Sequence, residues 1–149
     1  MTATGAQLST TLHSAYAASK VIDGNTATLC ASNIATASDQ WVSVRVTVPA
    51  GKAIGYVAVY NRNDGAIYEG WLSPYELYVG SSYGDLQYAC SGGPLVAGSG
   101  LGPFTTWCGD APVGLTHVTL VIRSGTLRYL TLGEIEVFAA DNPAPQHPP

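Results

Sequence analysis

The stretch Trp41-Val42-Ser43-Val44-Arg45-Val46-Thr47-Val48 alternates apolar and polar side chains and stops at the turn residues Pro49-Ala50-Gly51. Successive side chains of a β-strand point to opposite faces, so this pattern gathers its apolar residues on one side only when the chain is extended. Ala53 to Tyr60, with Val57 and Val59 inward, reads the same way, as do Tyr75 to Gly80, Thr116 to Ile122 and Gly133 to Phe138. No apolar i, i+3, i+4, i+7 pattern persists, and Ser14 to Lys20 allows only a marginal helical turn. Short strands separated by Gly, Pro and Asn predict an all-β sandwich or barrel.

A chain of 149 residues supports one core and not two. We read residues 1–140 as a single domain and the Pro-rich stretch 141–149 as a linker or tail. The net charge of -4 is carried without any cluster of basic residues, which excludes a nucleic-acid binder, since that function needs a cationic face to displace condensed counterions. A polybasic membrane anchor is excluded on the same ground. Apolar runs such as Val113 to Ile122 fall short of the roughly 20 residues that cross a bilayer, so no membrane insertion is expected. No charged, apolar leader is visible at the N-terminus.

Three cysteines allow one internal disulfide. Cys90 and Cys108 are favoured because they bracket a flexible Gly- and Pro-rich loop, and closing a loop of that length is worth about 3 kcal/mol. Such a bond points to an extracellular setting. His13, His117 and His147 stand at no metal-ligand spacing, and no Gly-x-Ser-x-Gly elbow occurs. Glu134 and Glu136 are expected to diverge along the last strand rather than pair as acid and base. No catalytic set is found, and the chain is read as a non-enzyme.

Five segments then occur in a telling order: Ala17 to Asn25 with Ile22-Asp23-Gly24-Asn25, Trp41 opening a strand, Tyr60-Asn61-Arg62-Asn63-Asp64, Tyr75 to Gly80, and Tyr129 to Val137. Together, over roughly residues 8 to 140, they resemble the discoidin or coagulation factor C-type domain, most closely its F-type, fucose-binding lectins. The resemblance implies a jelly-roll β-sandwich of about eight strands with ligand loops at one end. It also implies a structural calcium ion held by Asp23, Glu134 and carbonyls near Lys20, Asn25 and Gly133. Two carboxylates with carbonyls form the hard oxygen set that suits calcium. On the residues alone, Asp23 equally caps a tight turn with Gly24.

In that family the sugar contacts a histidine after the first cysteine, an arginine two before an aspartate, and a later basic residue. Arg62-x-Asp64 matches the middle element, while Cys30 is followed by Ala31, Ser32 and Asn33. Glu69 stands at the spacing of the second base, or Trp71 if the loop is longer by two, with Tyr68 beside them. Fucose itself is therefore not implied, but Arg62, Asp64, Glu69, Tyr68, Trp71, Ser32 and Asn33 form a candidate ligand set. A guanidinium fork and a carboxylate can bond vicinal hydroxyls, and aromatic rings can stack on a sugar face. Arg62 and Asp64 could instead simply pair with each other. Gly133 stands where the family has a cysteine, so Cys30 is expected to be a buried free thiol, and Trp107 to pack on the Cys90–Cys108 bridge. The expected function is a calcium-stabilised glycan-binding module of an extracellular protein, in oligomers or tandem domains. The alternative is a structural or protein-interaction domain of a cell-wall, matrix or surface assembly.

Overall fold

The computed structural model describes residues 1–125 and 127–141. Its ten strands are β1 (Ala3–Leu8), β2 (Cys30–Ile34), β3 (Gln40–Val46), β4 (Ile54–Tyr60), β5 (Glu76–Gly80), β6 (Tyr88–Ala89), β7 (Phe104–Trp107), β8 (His117–Ile122), β9 (Tyr129–Leu132) and β10 (Glu134–Ala139), with one helical turn α1 (Ala66–Glu69). They form antiparallel sheets in the orders β1-β3-β8-β5-β6, β10-β4-β7 and β2-β9. This is the expected jelly-roll sandwich, and its ten strands include the two-residue β6. No helix among the described residues is long and apolar enough to cross a membrane.

The five strands found by alternation are β3, β4, β5, β8 and β10. Val42 and Val44 of β3, Val57 and Val59 of β4, Leu77 and Val79 of β5, and Ile135 and Val137 of β10 meet in one core with Val118 and Leu120 of β8. β8 is buried on both faces. Its second face is covered by the chain after β5, where the Tyr83 ring sits edge-on to His117 at 4.8 Å and Gly84, at φ 76°, lies against the Trp41 indole. Under that cover Ser43 and Thr119 satisfy one another through a 2.8 Å hydroxyl contact, so two buried polar groups are left without cost.

Register decides which loops share one end of the sandwich. Gln40 pairs with Ile122, and Glu76 with Val121. The starts of β3 and β5 therefore share one end of the sandwich with the finish of β8, and the loops leading into or out of these strands gather there. Arg123 ties that rim together, donating to Glu76 at 2.9 Å and to Asp39 at 2.9 Å.

Several expectations need correction. The helical turn at Ser14 to Lys20 is two 3-10 turns, Ser14–Tyr16 and Ala18–Ile22, and the intervening Ala17 is extended at ψ 158°. Glu134 and Glu136 do not diverge: residues two apart on a strand share a face, and both act on the Tyr60 hydroxyl opposite. As expected, Cys90 and Cys108 are joined, with Cα atoms 4.6 Å apart, and Cys30 is free and buried. The indole of Trp107 stacks edge to face on Tyr56 at 4.8 Å, lies against Gly109 beside Cys108, and is 39% exposed. Of the tail, only Asp141 is described, paired with Lys52; 142–149 lie outside the described residues.

Candidate functional site

The loop between β4 and β5 is built around Asn61, which is fully buried. Its backbone N–H donates to the Leu101 carbonyl (2.9 Å), its side-chain amide donates to the Glu69 carbonyl (2.9 Å), and its Oδ1 accepts from the Arg62 N–H (2.8 Å). At the far side of the loop, buried Arg128 donates to the carbonyls of Trp71 and Pro74, each at 2.8 Å. Both ends of an otherwise irregular segment are thus fixed by buried side chains, which is how a surface loop becomes a rigid platform.

On that platform Arg62 forks onto Asp64, with Nε donating to Oδ1 at 2.6 Å and Nη2 to Oδ2. The guanidinium carbon lies 4.4 Å from the Tyr68 ring centre and 5.9 Å from that of Trp71. Trp71 in turn packs on Tyr68 at 5.1 Å and on Tyr129 at 5.2 Å. The Arg62 hydrogen bond holds the Asp64 carboxyl below its ordinary value, so it is an anion at neutral pH. The pair borders a cleft of about 330 Å³ whose other walls include Thr26, Thr28, Leu29 and Leu101. The Arg62 side chain is 13% exposed and that of Asp64 50%. The arginine is therefore mostly packed, and the carboxylate is the group most available to a ligand.

Not every candidate joins this cleft. Ser32 is fully buried; its hydroxyl donates to the Asn33 carbonyl at 2.7 Å and accepts from the Leu130 N–H at 3.1 Å, so it holds β2 to β9. Asn33 is exposed on β2, with its N–H bonded to the Thr10 hydroxyl, and does not line the cleft. Glu69 is also outside it, beside Gly98 and Ser99, and its Oε1 accepts from the Gly100 N–H at 2.9 Å. Residue spacing alone does not reveal which of these side chains line the cleft.

Below the cleft wall lies a cluster of oxygens. Asp23 Oδ1 accepts from the Asn25 N–H at 2.9 Å, and the Thr28 hydroxyl lies 2.6 Å from Asp23 Oδ2 and 2.9 Å from the Asn25 carbonyl. One hydroxyl proton cannot serve both acceptors fully. Glu134 Oε2 accepts from the Gly24 N–H at 3.1 Å, whereas its Oε1 is buried without a partner. Burial pushes the Glu134 carboxyl up to about 7, and the nearby Asp23 charge adds to the shift. Burial also acts to raise Asp23, but bonds from Thr28 and Asn25 outweigh it and leave this carboxyl below its ordinary value. Two carboxylates in reach of each other, an orphaned oxygen and a surplus of acceptors are the electrostatics a hard divalent cation relieves. Among the described residues no group of three His, Cys, Asp or Glu gathers, so neutral oxygens would complete the set.

Lys20, on the turn before Asp23, contributes a positive charge that helps lower Asp23. Gly133 is the point on which the carbonyls of Asn61, Thr26 and Thr28 converge: a Cβ there would meet them at 3.2, 3.3 and 3.4 Å. Thr28 is the residue the sequence reading missed, although Asp23, Asn25 and Thr28 form a run of oxygen-bearing side chains in one turn.

No family profile matches the sequence, and no curated protein matches it. Solved structures do match in fold. The F-lectin (fucolectin) from Morone saxatilis (striped bass) serum superposes with a TM-score of 0.68 at 23% identity, over 89% of this chain and 45% of that one, so this chain spans about half of it. The lectin domain of lectinolysin, solved with Lewis B antigen, gives 0.64 at 20% identity over 90% and 91%. The family 32 carbohydrate-binding module from C. perfringens NanJ, solved with galactose, gives 0.62 at 17% identity over 89% and 91%. The fold is the one shared by F-type lectins and these modules.

Proposed function

We propose that this domain is a non-catalytic carbohydrate-binding module that takes a glycan in the Arg62–Asp64 cleft. The observation that carries the reading is the Arg62 fork, locked onto Asp64 and held over Tyr68 and Trp71 at the edge of the cleft. Sugar hydroxyls donate to the exposed Asp64 carboxylate, and the N–H groups of Arg62 that Asp64 leaves over donate to sugar oxygens. Tyr68 and Trp71 do not line the cleft themselves; they pack against the Arg62 guanidinium and hold it in place beside Asp64. Because the donors and acceptors are fixed by Asn61 and Arg128, a ligand meets a site that needs little reordering. The Lewis B antigen and galactose bound by structural neighbours support a saccharide as the ligand class.

In this reading Asp23, Glu134, Thr28 and the Asn25 carbonyl hold a structural calcium ion, with carbonyls near Lys20 and Gly133 as further ligands. When bound, calcium supplies positive charge to two adjacent carboxylates and fastens the 23–28 turn to β10. The Cys90–Cys108 bond fits an extracellular protein. One shallow cleft binds weakly, so copies in tandem or in an oligomer supply avidity. The test is a broad glycan array probed with the labelled, multimerised domain in calcium, with a chelator arm. Calcium-dependent signal on a related set of glycans supports the proposal; a blank array from folded protein overturns it and favours the structural or protein-interaction role.

A further inference from the structure

One wall of the cleft is Leu101, and the chain that carries it has little conformational preference of its own. It lies between Gly98, Gly100 and Gly102, the latter two at φ +85° and +97°. Residues this permissive adopt many conformations unless held. Two hydrogen bonds hold this one. The Leu101 carbonyl accepts from the Asn61 N–H at 2.9 Å, and the preceding Gly100 N–H donates to Glu69 Oε1 at 2.9 Å. Glu69 is itself fixed: its N–H donates to the Gly65 carbonyl at 3.0 Å, and its carbonyl accepts from the Asn61 side chain at 2.9 Å. The Arg62 loop and the Leu101 loop are therefore joined at this point by the Glu69 carboxylate together with the Asn61 N–H.

We propose that Glu69 is a positioning residue for the glycan. Resting on the carbohydrate reading above, it assigns Glu69 no contact with the sugar. Glu69 holds the Gly100 amide and so places Leu101 as the apolar wall of the cleft, and the width of the cleft depends on it. A carboxylate bonded to a backbone N–H makes a firm strut, since charge-assisted bonds are about twice as strong as neutral ones.

The test compares wild type with Glu69→Ala and Glu69→Gln by two readouts, hydrogen exchange at the Gly100 amide and affinity for the best glycan from the array. Glutamine keeps the Oε1 acceptor and alanine does not. Alanine should speed Gly100 exchange and weaken glycan binding about tenfold through lost preorganisation, with melting nearly unchanged. Glutamine should stay within about twofold of wild type in both readouts. An alanine variant that binds as wild type overturns the positioning role alone. A glutamine variant that keeps Gly100 protected but loses binding as fully as alanine also overturns it, by showing that the charge meets the sugar. A folded wild type that binds no glycan overturns the carbohydrate reading and this role with it.

Discussion

Glu134→Gln separates a cation ligand from an ordinary buried acceptor. The Glu134 side chain is 6% exposed in residue terms, one of its oxygens has no partner, and its carboxyl ionises near 7 instead of the ordinary 4.5. The metal-free folded state thus keeps the benefit of protonated Glu134 below pH 4.5 and loses it as the pH rises through 7. At about 1.4 kcal/mol per pH unit, the difference has a ceiling of about 3 kcal/mol. Water penetration and relaxation around the exposed Asp23 reduce this to roughly 1–2 kcal/mol. Glutamine has the same shape, can accept from the Gly24 N–H, and can donate its amide to Asp23. In chelator, wild type and variant should melt together at pH 5, and the variant should melt higher by roughly 2–8 °C at pH 8. In millimolar calcium the order reverses, because only the wild type offers a second carboxylate and gains by ligation. Calorimetry at both pH values, with chelator and with calcium, reads all four cases. A variant less stable than wild type by the same amount in every condition would refute the reasoning and make Glu134 a simple acceptor for Gly24.

Other outcomes follow from the same geometry. Arg62→Lys keeps the charge but not the planar fork, so titration calorimetry should show glycan affinity falling by more than about tenfold while melting changes by only a few degrees. Arg128→Ala strips the Trp71 and Pro74 carbonyls of their donors and should cost about 2–4 kcal/mol in a urea melt. The replacement Cys90→Ser with Cys108→Ser opens a loop with a sequence separation of 18; by loop entropy the loss is about 3 kcal/mol, visible as a lower thermal midpoint.

The long strands were legible because each buries one apolar face or two, and period two is visible over five or more residues. β1, β2, β6, β7 and β9 were not, since residues such as Gly5-Ala6, Cys30-Ala31, Tyr88-Ala89 and Thr105-Thr106 carry no alternation and are strands because a neighbour pairs with them. At the site, Arg62-x-Asp64 was readable as a pattern, and so were Asp23 and Glu134. Spacing does not reveal that Ser32 and Glu69 are engaged within the chain, because the Leu130 and Gly100 amides that bond them lie 98 and 31 residues away. Arg128 was passed over for the same reason, as the carbonyls it holds lie more than 50 residues earlier in the chain.

The central claim, a glycan seated in the Arg62–Asp64 cleft, is met most directly by amide and methyl chemical-shift mapping of the calcium-loaded domain during titration with an array-positive glycan. The account predicts shifts concentrated at Thr26 to Leu29, Arg62 to Asp64 and Leu101. Shifts centred elsewhere, for example around Tyr56 and Trp107, with the cleft silent at saturation, would contradict it.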